Sequence, residues 1–424
     1  MQIDCIVIGG GPAGLLASAS ASQHGARVLL LDKGDQLGRK LAISGGGRCN
    51  VTNRKEVDEL IKQIPGNGRF LYSVFSTFNN HDLIHFFEGI GVKLKEEDNG
   101  RMFPASGKAK SVVEALVRHV ASLGTQIKVH TPVKQVLYKD GQVIGVETLS
   151  GERFFAPAVI IASGGKSAPY TGSTGDGYAW AKEAGHRITE LFPTEVPLTS
   201  HEPFIRSREV QGLSLYDVSL TVYRPNGKKV ITHRGDMIFT HFGLSGPAAL
   251  RCSQFVVKIL KKEKVSSVPI QIDLFPDQSI DQLVQTLKKH CQQHPKKTMK
   301  TILKMLIPER LVSLVLKQLQ LNPQQSAIQF NHSALHEIGK LLKSFVVQVD
   351  GTLPLEKAFV TGGGVHIKEI HPQTMESKLM RGLYFCGEIL DIHGYTGGYN
   401  ITAAMCTGYV AGKSAAEQVK GRKR

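Results

Sequence analysis

IDCIVIGGGPAGLLASASASQHGARVLLLD, residues 3–32, is the stretch whose reading decides the fold. Residues 3–8 are a short apolar run that stops at Gly9, the pattern of a buried parallel strand. Residues 12–24 are rich in Ala, Leu and other small residues, which suits a helix packed tightly on that strand. Residues 26–32 read as a second strand. Strand, glycine turn, helix and strand make a βαβ unit, a connection that is right-handed in nearly all proteins. Gly9, Gly11 and Gly14 carry the spacing G-x-G-x-x-G. Such glycines allow a tight turn and let the backbone approach a pyrophosphate at the helix N-terminus. Asp32 ends the second strand, where a carboxylate accepts hydrogen bonds from an adenosine ribose. Alone the spacing is a weak signal; between a strand and a helix it is a specific one.

Outward from this unit, helices are expected near 55–64, 79–90 and 108–123, after a polar loop at 38–53. Residues 126–137, 142–149 and 153–156 read as a small antiparallel meander. AVIIAS at 158–163 is another buried strand, running into Gly164-Gly165, with a helix at 175–185 beyond. Character changes near Pro193. Residues 213–223, 228–233 and 268–274 pattern as antiparallel strands, and 279–293, 298–306 and 308–319 as amphipathic helices. Strand-like patterning returns at 345–350 and 357–361, then LYFCGE at 383–388, then a small-residue helix at 401–418. At 424 residues, two or three domains are expected. The reading is α/β, with a discontinuous Rossmann-type domain formed by 1–193 and 351–424. The insertion divides into a β-rich domain, 194–274 with 331–350, and a helical subdomain, 275–330.

Composition bounds the function. No run of about 20 apolar residues is present, so no transmembrane helix and no membrane partner are expected. Asp4 and the early glycines do not fit a signal peptide, and a cytoplasmic location is expected. No cysteine pair is spaced C-x-x-C, so no metal site is expected. The net charge of +16 favours anionic partners without naming one.

Two more glycine-rich segments carry chemistry. In KLAISGGGRCNVTN, residues 40–53, Gly45, Gly46 and Gly47 lie between Ser44 and Arg48. A loop so free and rich in donors can wrap a phosphate or a ring edge, with Arg48 offsetting pyrophosphate charge. Near the C-terminus, Gly387-Glu388 and Asp391 precede GYTGGYN at 394–400, and a helix begins just beyond, at Ile401. Free N–H groups at that helix start could polarise a flavin carbonyl, and the acidic groups could hold ribityl hydroxyls.

Taken together, GGGPAGL at 9–15, LGRKLAISGGGRCNVTN at 37–53, GDMIFTHFGLSGPAAL at 235–250, TGGGV at 361–365 and GLYFCGEILDIHGYTGGYNITAA at 382–404 resemble a known family. It is the BaiN-like, or aminoacetone-oxidase-like, flavoprotein family with a glutathione-reductase-type FAD domain. The resemblance spans essentially the whole chain. It implies noncovalent FAD and an inserted β-barrel-like domain beside a small helical one. It implies that Gly9, Gly11, Gly14 and Asp32 hold the ADP half, and that Lys40, Ser44, Gly45, Gly46, Gly47 and Arg48 lie along pyrophosphate or flavin. Gly387, Asp391, Thr396, Gly397, Gly398, Tyr399, Asn400 and Ile401 would surround the ribityl chain and isoalloxazine, and Val133 would touch adenine. The expected cofactor set is completed by Pro12, Ala13, Lys33, Cys49, Asn50, Ala162, Gly164, Gly165 and Glu388.

The chemistry expected is hydride transfer between flavin N5 and a small organic substrate, such as an enone reduced with NAD(P)H. Amine or ketone oxidation is the alternative. No second G-x-G-x-x-G follows an internal strand, and Gly362-Gly363-Gly364-Val365 lacks the third glycine. NAD(P)H is therefore expected to dock without a Rossmann fold of its own. His241 and His393 are the candidate catalytic acids or bases, because imidazole titrates near neutrality. Cys49 is expected to pack rather than react. A different class, a nucleic-acid-binding or RNA-modifying flavoprotein, finds its best support in ten lysines between Lys258 and Lys304. The expectation is that these form a solvated face and that nucleic acid is not a partner.

Overall fold

The computed structural model describes residues 2–423. The chain divides into two compact units, Met1–Phe192 with Leu355–Arg424, and Pro193–Pro354.

The first unit is built on a five-stranded parallel sheet. Its order is Leu383–Phe385, Ala158–Ile161, Cys5–Ile8, Val28–Leu31, Gln126–Lys128. Every residue of Cys5–Ile8, Val28–Leu31 and Ala158–Ile161 is buried, as continuous apolar runs require in a sheet covered on both faces. The helix Pro12–Gln23 packs on the long helix Tyr399–Lys423 at backbone distance. A β-carbon on Gly408 would lie 2.2 Å from the Ala13 carbonyl oxygen, and one on Gly412 2.1 Å from that of Ala17. Small residues in both helices are what permit that approach.

The segment 126–137 is not one meander strand. Gln126–Lys128 joins the parallel sheet beside Val28–Leu31, and only Val133–Lys139 begins the meander, continued by Gln142–Thr148 and Arg153–Phe155. The break falls where His130 takes a positive φ of 51° just ahead of Pro132.

The second unit holds a seven-stranded antiparallel sheet. Its order is Phe345–Val349, Val268–Asp273, Ser214–Tyr223, Lys229–Phe239, Gly243–Ser245, Leu198–Thr199, Gly351–Thr352. The two strands at the ends of that order are neighbours in the chain, separated by Asp350. Helices Pro247–Glu263, Ile280–Gln293, Met299–Lys304, Glu309–Gln318 and His332–Lys343 share one hydrophobic cluster with the sheet. The first and last of these were not read from sequence. Their signals were present: Pro247 at the first helical position, and buried Leu335, Ile338 and Leu342 at helical spacing. Residues 193–354 contain 21 Lys and Arg against 12 Asp and Glu, a net +9 within the chain's +16. Among the described residues, no helix is long and apolar enough to cross a membrane.

Candidate functional site

The parallel strands bring their carboxyl ends to one edge of the sheet, and the glycine turns follow those ends. In open α/β sheets that edge is where ligands bind.

The first turn is made by contact. Gly9, at φ +104°, lies so close to the next strand that a β-carbon there would stand 2.6 Å from the Ala162 carbonyl oxygen. A β-carbon on Gly14 would stand 1.8 Å from the Gly9 oxygen, and one on Gly387 2.7 Å from Cβ of Ala13. Gly11 is different: a β-carbon there meets nothing within 4 Å. It opens the helix Pro12–Gln23, whose first turn no side chain caps. Uncapped N–H groups at a positive helix end, facing open space, fit a pyrophosphate.

Asp32 accepts from Gly10 N–H at 2.6 Å and from Gly34 N–H at 2.7 Å, so its carboxylate fixes the turns on either side of it. His130 N–H donates to Gly34 O and Thr131 N–H to Asp32 O, both at 2.8 Å. These bonds bring the start of the meander, and so Val133, beside Asp32. The Lys33 ammonium is paired with Asp176 at 2.5 Å.

The second glycine run is exposed and conformational. Gly45, Gly46 and Gly47 have φ of +57°, +68° and +83°. Cys49 follows at +63°, buried, its N–H donating to Ser44 O at 2.9 Å. Burial pushes the Cys49 thiol up to about 12, against a smaller opposing effect of a hydrogen bond with Ser44. Such a thiol stays protonated at neutral pH and is no nucleophile. The Arg48 guanidinium is held by both carboxylate oxygens of Glu97 at 3.0 Å and lies 4.3 Å over the Phe103 ring.

This loop is tied to the C-terminal glycine segment. The Asn50 amide, oriented to satisfy its neighbours, donates to Thr52 O at 2.9 Å and accepts from Gly398 N–H at 2.9 Å. Asn53 Nδ2 donates to Gly397 O at 3.1 Å. Asn400, now within the first turn of a helix that starts at Tyr399, clasps its own loop: Oδ1 accepts from Gly394 N–H at 2.8 Å, and Nδ2 donates to Gly394 O at 2.9 Å. Asp391 is half-buried, its carbonyl accepting from Asn67 Nδ2 at 2.7 Å. Thr396 and Ile401 are also half-buried on this rim.

Lys40 donates to Glu388 Oε2 at 2.6 Å and to Ser167 Oγ at 2.8 Å. Glu388 Oε1 accepts from Ser167 Oγ at 2.9 Å and from Thr361 N–H at 2.8 Å. Burial raises the Glu388 carboxyl, but the Lys40 charge and these hydrogen bonds outweigh it and hold the group below the usual carboxylate range. Ser167 and Thr361 were not foreseen as part of this edge; the TGGGV motif beginning at Thr361 was the available signal. Gly165 packs on Thr361, and Gly164 on Ser173, where β-carbons would collide.

The two histidines lie in different units. His393 is buried, its ring against Gly66 and edge-on to Phe192 at 5.4 Å. His241 is exposed in the turn between Lys229–Phe239 and Gly243–Ser245 of the second unit. Among the described residues, no group of three His, Cys, Asp or Glu could hold a metal ion.

Residues 3–414 match the family model described as HI0933-like protein Rossmann domain. The ribosomal RNA dihydrouridine synthase of Escherichia coli is 34% identical over 96% of each chain. The 3-dehydro-bile acid delta(4,6)-reductase of Clostridium scindens is 30% identical over 97% of this chain and 98% of its own. In fold, the chain is similar to the 3-ketosteroid delta1-dehydrogenase of Sterolibacterium denitrificans (TM-score 0.55, 14% identity, covering 98% of this chain and 100% of that one). A full-length relative named for ribosomal RNA overturns the expectation that nucleic acid is not a partner. The expectation took the basic stretch as a solvated face, although the same excess positive charge also suits a polyanion.

Proposed function

The chain belongs to the HI0933-like family and is a FAD-dependent oxidoreductase, and from that premise we propose that it reduces uridine in ribosomal RNA to dihydrouridine. These two full-length relatives are named for reactions that share a feature. A bile-acid enone and the C5=C6 bond of uracil are both alkenes conjugated to a carbonyl, and reduction of either adds one hydride and one proton. Bound FAD supplies the hydride chemistry. The observation that favours RNA over a steroid is the net +9 on residues 193–354, because a polyanion rewards excess positive charge far more than a single carboxylate does.

For the cofactor, we assign the ADP half to Gly9, Gly11, Pro12, Ala13, Gly14 and Asp32, with Val133 and Lys33 toward adenosine. Ala162, Gly164, Gly165 and Gly387 hold the backbones near enough to enclose it. The loop 44–50 and residues 396–401 are assigned to the flavin side, where paired Lys40 and Glu388 present a neutral couple rather than a free charge. Of the histidines, enclosed His393 positions its loop, and exposed His241 is the candidate proton donor. The FAD-binding domain, expected at 1–193 with 351–424, is taken as the unit 1–192 with 355–424, since Gly351–Thr352 pairs in the inserted sheet, and the bend at Asp350 brings that sheet toward a barrel-like form. We place the enzyme in the cytoplasm, where ribosomal RNA is made and used.

The test is mass spectrometry of nuclease digests. Ribosomal RNA lacking dihydrouridine is incubated with the flavoprotein and NADPH or NADH, and uridine should gain the mass of two hydrogens. RNA left unchanged, by a protein that turns over a steroid enone under the same conditions, would overturn the reading.

A further inference from the structure

We infer that a single-stranded RNA segment docks on the helical side of the second unit, along Lys296, Lys297 and Lys300 to an aromatic platform at Tyr216. This rests on the RNA reading above and names the surface that would serve it.

Residues 282–308 contain six lysines and no Asp or Glu. Lys288 and Lys289 are exposed at the end of the helix Ile280–Gln293. Lys296 and Lys297 are exposed on the following loop, which is pinned in place: Ala327 N–H donates to Lys297 O at 2.9 Å, and Ser326 Oγ to Pro295 O at 3.0 Å. The next helix buries Met299, Ile302 and Leu303 and so turns Lys300 and Lys304, four apart, toward its other face. Lys304 pairs with Glu309, and the Lys304 and Lys300 charges both hold that carboxyl below its usual range.

Glu309 in turn lines a hollow of about 690 Å³ with Pro308, Arg310, Gly212, Leu213 and Tyr216. Tyr216 is 76% exposed, although an aromatic ring gains by burial. Arg310 holds the rim by donating to Gln211 O at 2.7 Å. A row of lysines leading to an exposed ring beside an arginine has the parts of a single-strand site: cations for phosphates and a face on which a base stacks. Glu309 is paired with Lys304, and exposed Asp217 beside Tyr216 is paired with Arg234, so neither carboxylate meets the backbone as a free charge.

Fluorescence anisotropy of a labelled uridine-rich single-stranded RNA tests this on the full flavoprotein across a salt series. The variants are K296Q/K297Q/K300Q, Y216A, and the charge-matched control K228Q/K229Q/K262Q. Flavin content and melting temperature serve as checks on folding. The triple variant should lose affinity by at least roughly tenfold and flatten the salt slope by about two, the loss of three phosphate contacts. Y216A should lose roughly 5- to 100-fold with the slope unchanged, as stacking predicts. The control should bind as wild type does. Variants that bind like wild type, or a control that loses as much, overturn the site while the RNA reading stands. Wild type that binds no RNA, yet reduces a free enone, overturns both.

Discussion

Two runs of three glycines, 9–11 and 45–47, look alike in the sequence and do different work. In the first, neighbouring backbone leaves no room for a side chain on Gly9, and the same holds for Gly14 after it. In the second, Gly46 and Gly47 have open space around them, and glycine serves because three successive residues take left-handed φ. Contact glycines are an all-or-nothing requirement of packing. Conformational glycines cost only the strain of a bad φ. Gly11 is a third kind: it has an ordinary φ, and no protein atom lies within 4 Å of where its β-carbon would stand.

Gly14→Val should have the largest effect, more than about 4 kcal/mol, because its β-carbon would overlap the Gly9 carbonyl. Little soluble, yellow protein is expected, and a normal yield with normal melting would refute the contact argument. Gly11→Val should leave the fold intact and remove FAD. Circular dichroism like wild type with flavin absorbance lost is the expected pair, and full flavin occupancy would show that the open space is not the pyrophosphate site.

His241→Gln sharpens the contrast from the side of chemistry. It should slow turnover about 100-fold or more at unchanged flavin content, the size expected for a lost proton donor. Unchanged rates would remove His241 from the reaction.

The Lys40–Glu388 pair makes a pH prediction. Its carboxyl is lower in the folded state than in the unfolded chain, so the stability it contributes is present above the ordinary carboxylate range and is lost as pH falls through and below about 4. Urea melts from pH 7 to 3 should show a steeper decline for wild type than for Glu388→Gln. That variant also strands Lys40, at about 1–3 kcal/mol after discounting for partial exposure. Parallel declines would mean that the pair is not coupled to folding. Smallest of all, Gly46→Ala should cost only about 1–2 kcal/mol, the strain of a left-handed alanine, read as a modest fall in melting temperature.

By itself the sequence determined the elements whose causes are local. Short apolar runs placed the strands found at 5–8, 28–31 and 158–161, and G-x-G-x-x-G placed the turn, because strand, turn and helix are consecutive in the chain. It also showed the small-residue helix at the C-terminus, though not that Gly408 and Gly412 exist to meet Ala13 and Ala17. Spacing misled at 126–137, where alternation is the same for a meander strand and for the edge of a parallel sheet. Only tertiary structure decided where the charges go. Arg48 read as a cation to offset pyrophosphate charge, and the resemblance set Lys40 along pyrophosphate or flavin, yet the first is held by Glu97, and the second by Glu388, 348 residues away. A cation's availability depends on which carboxylate the fold carries within about 3 Å of it, and no local pattern records that partner.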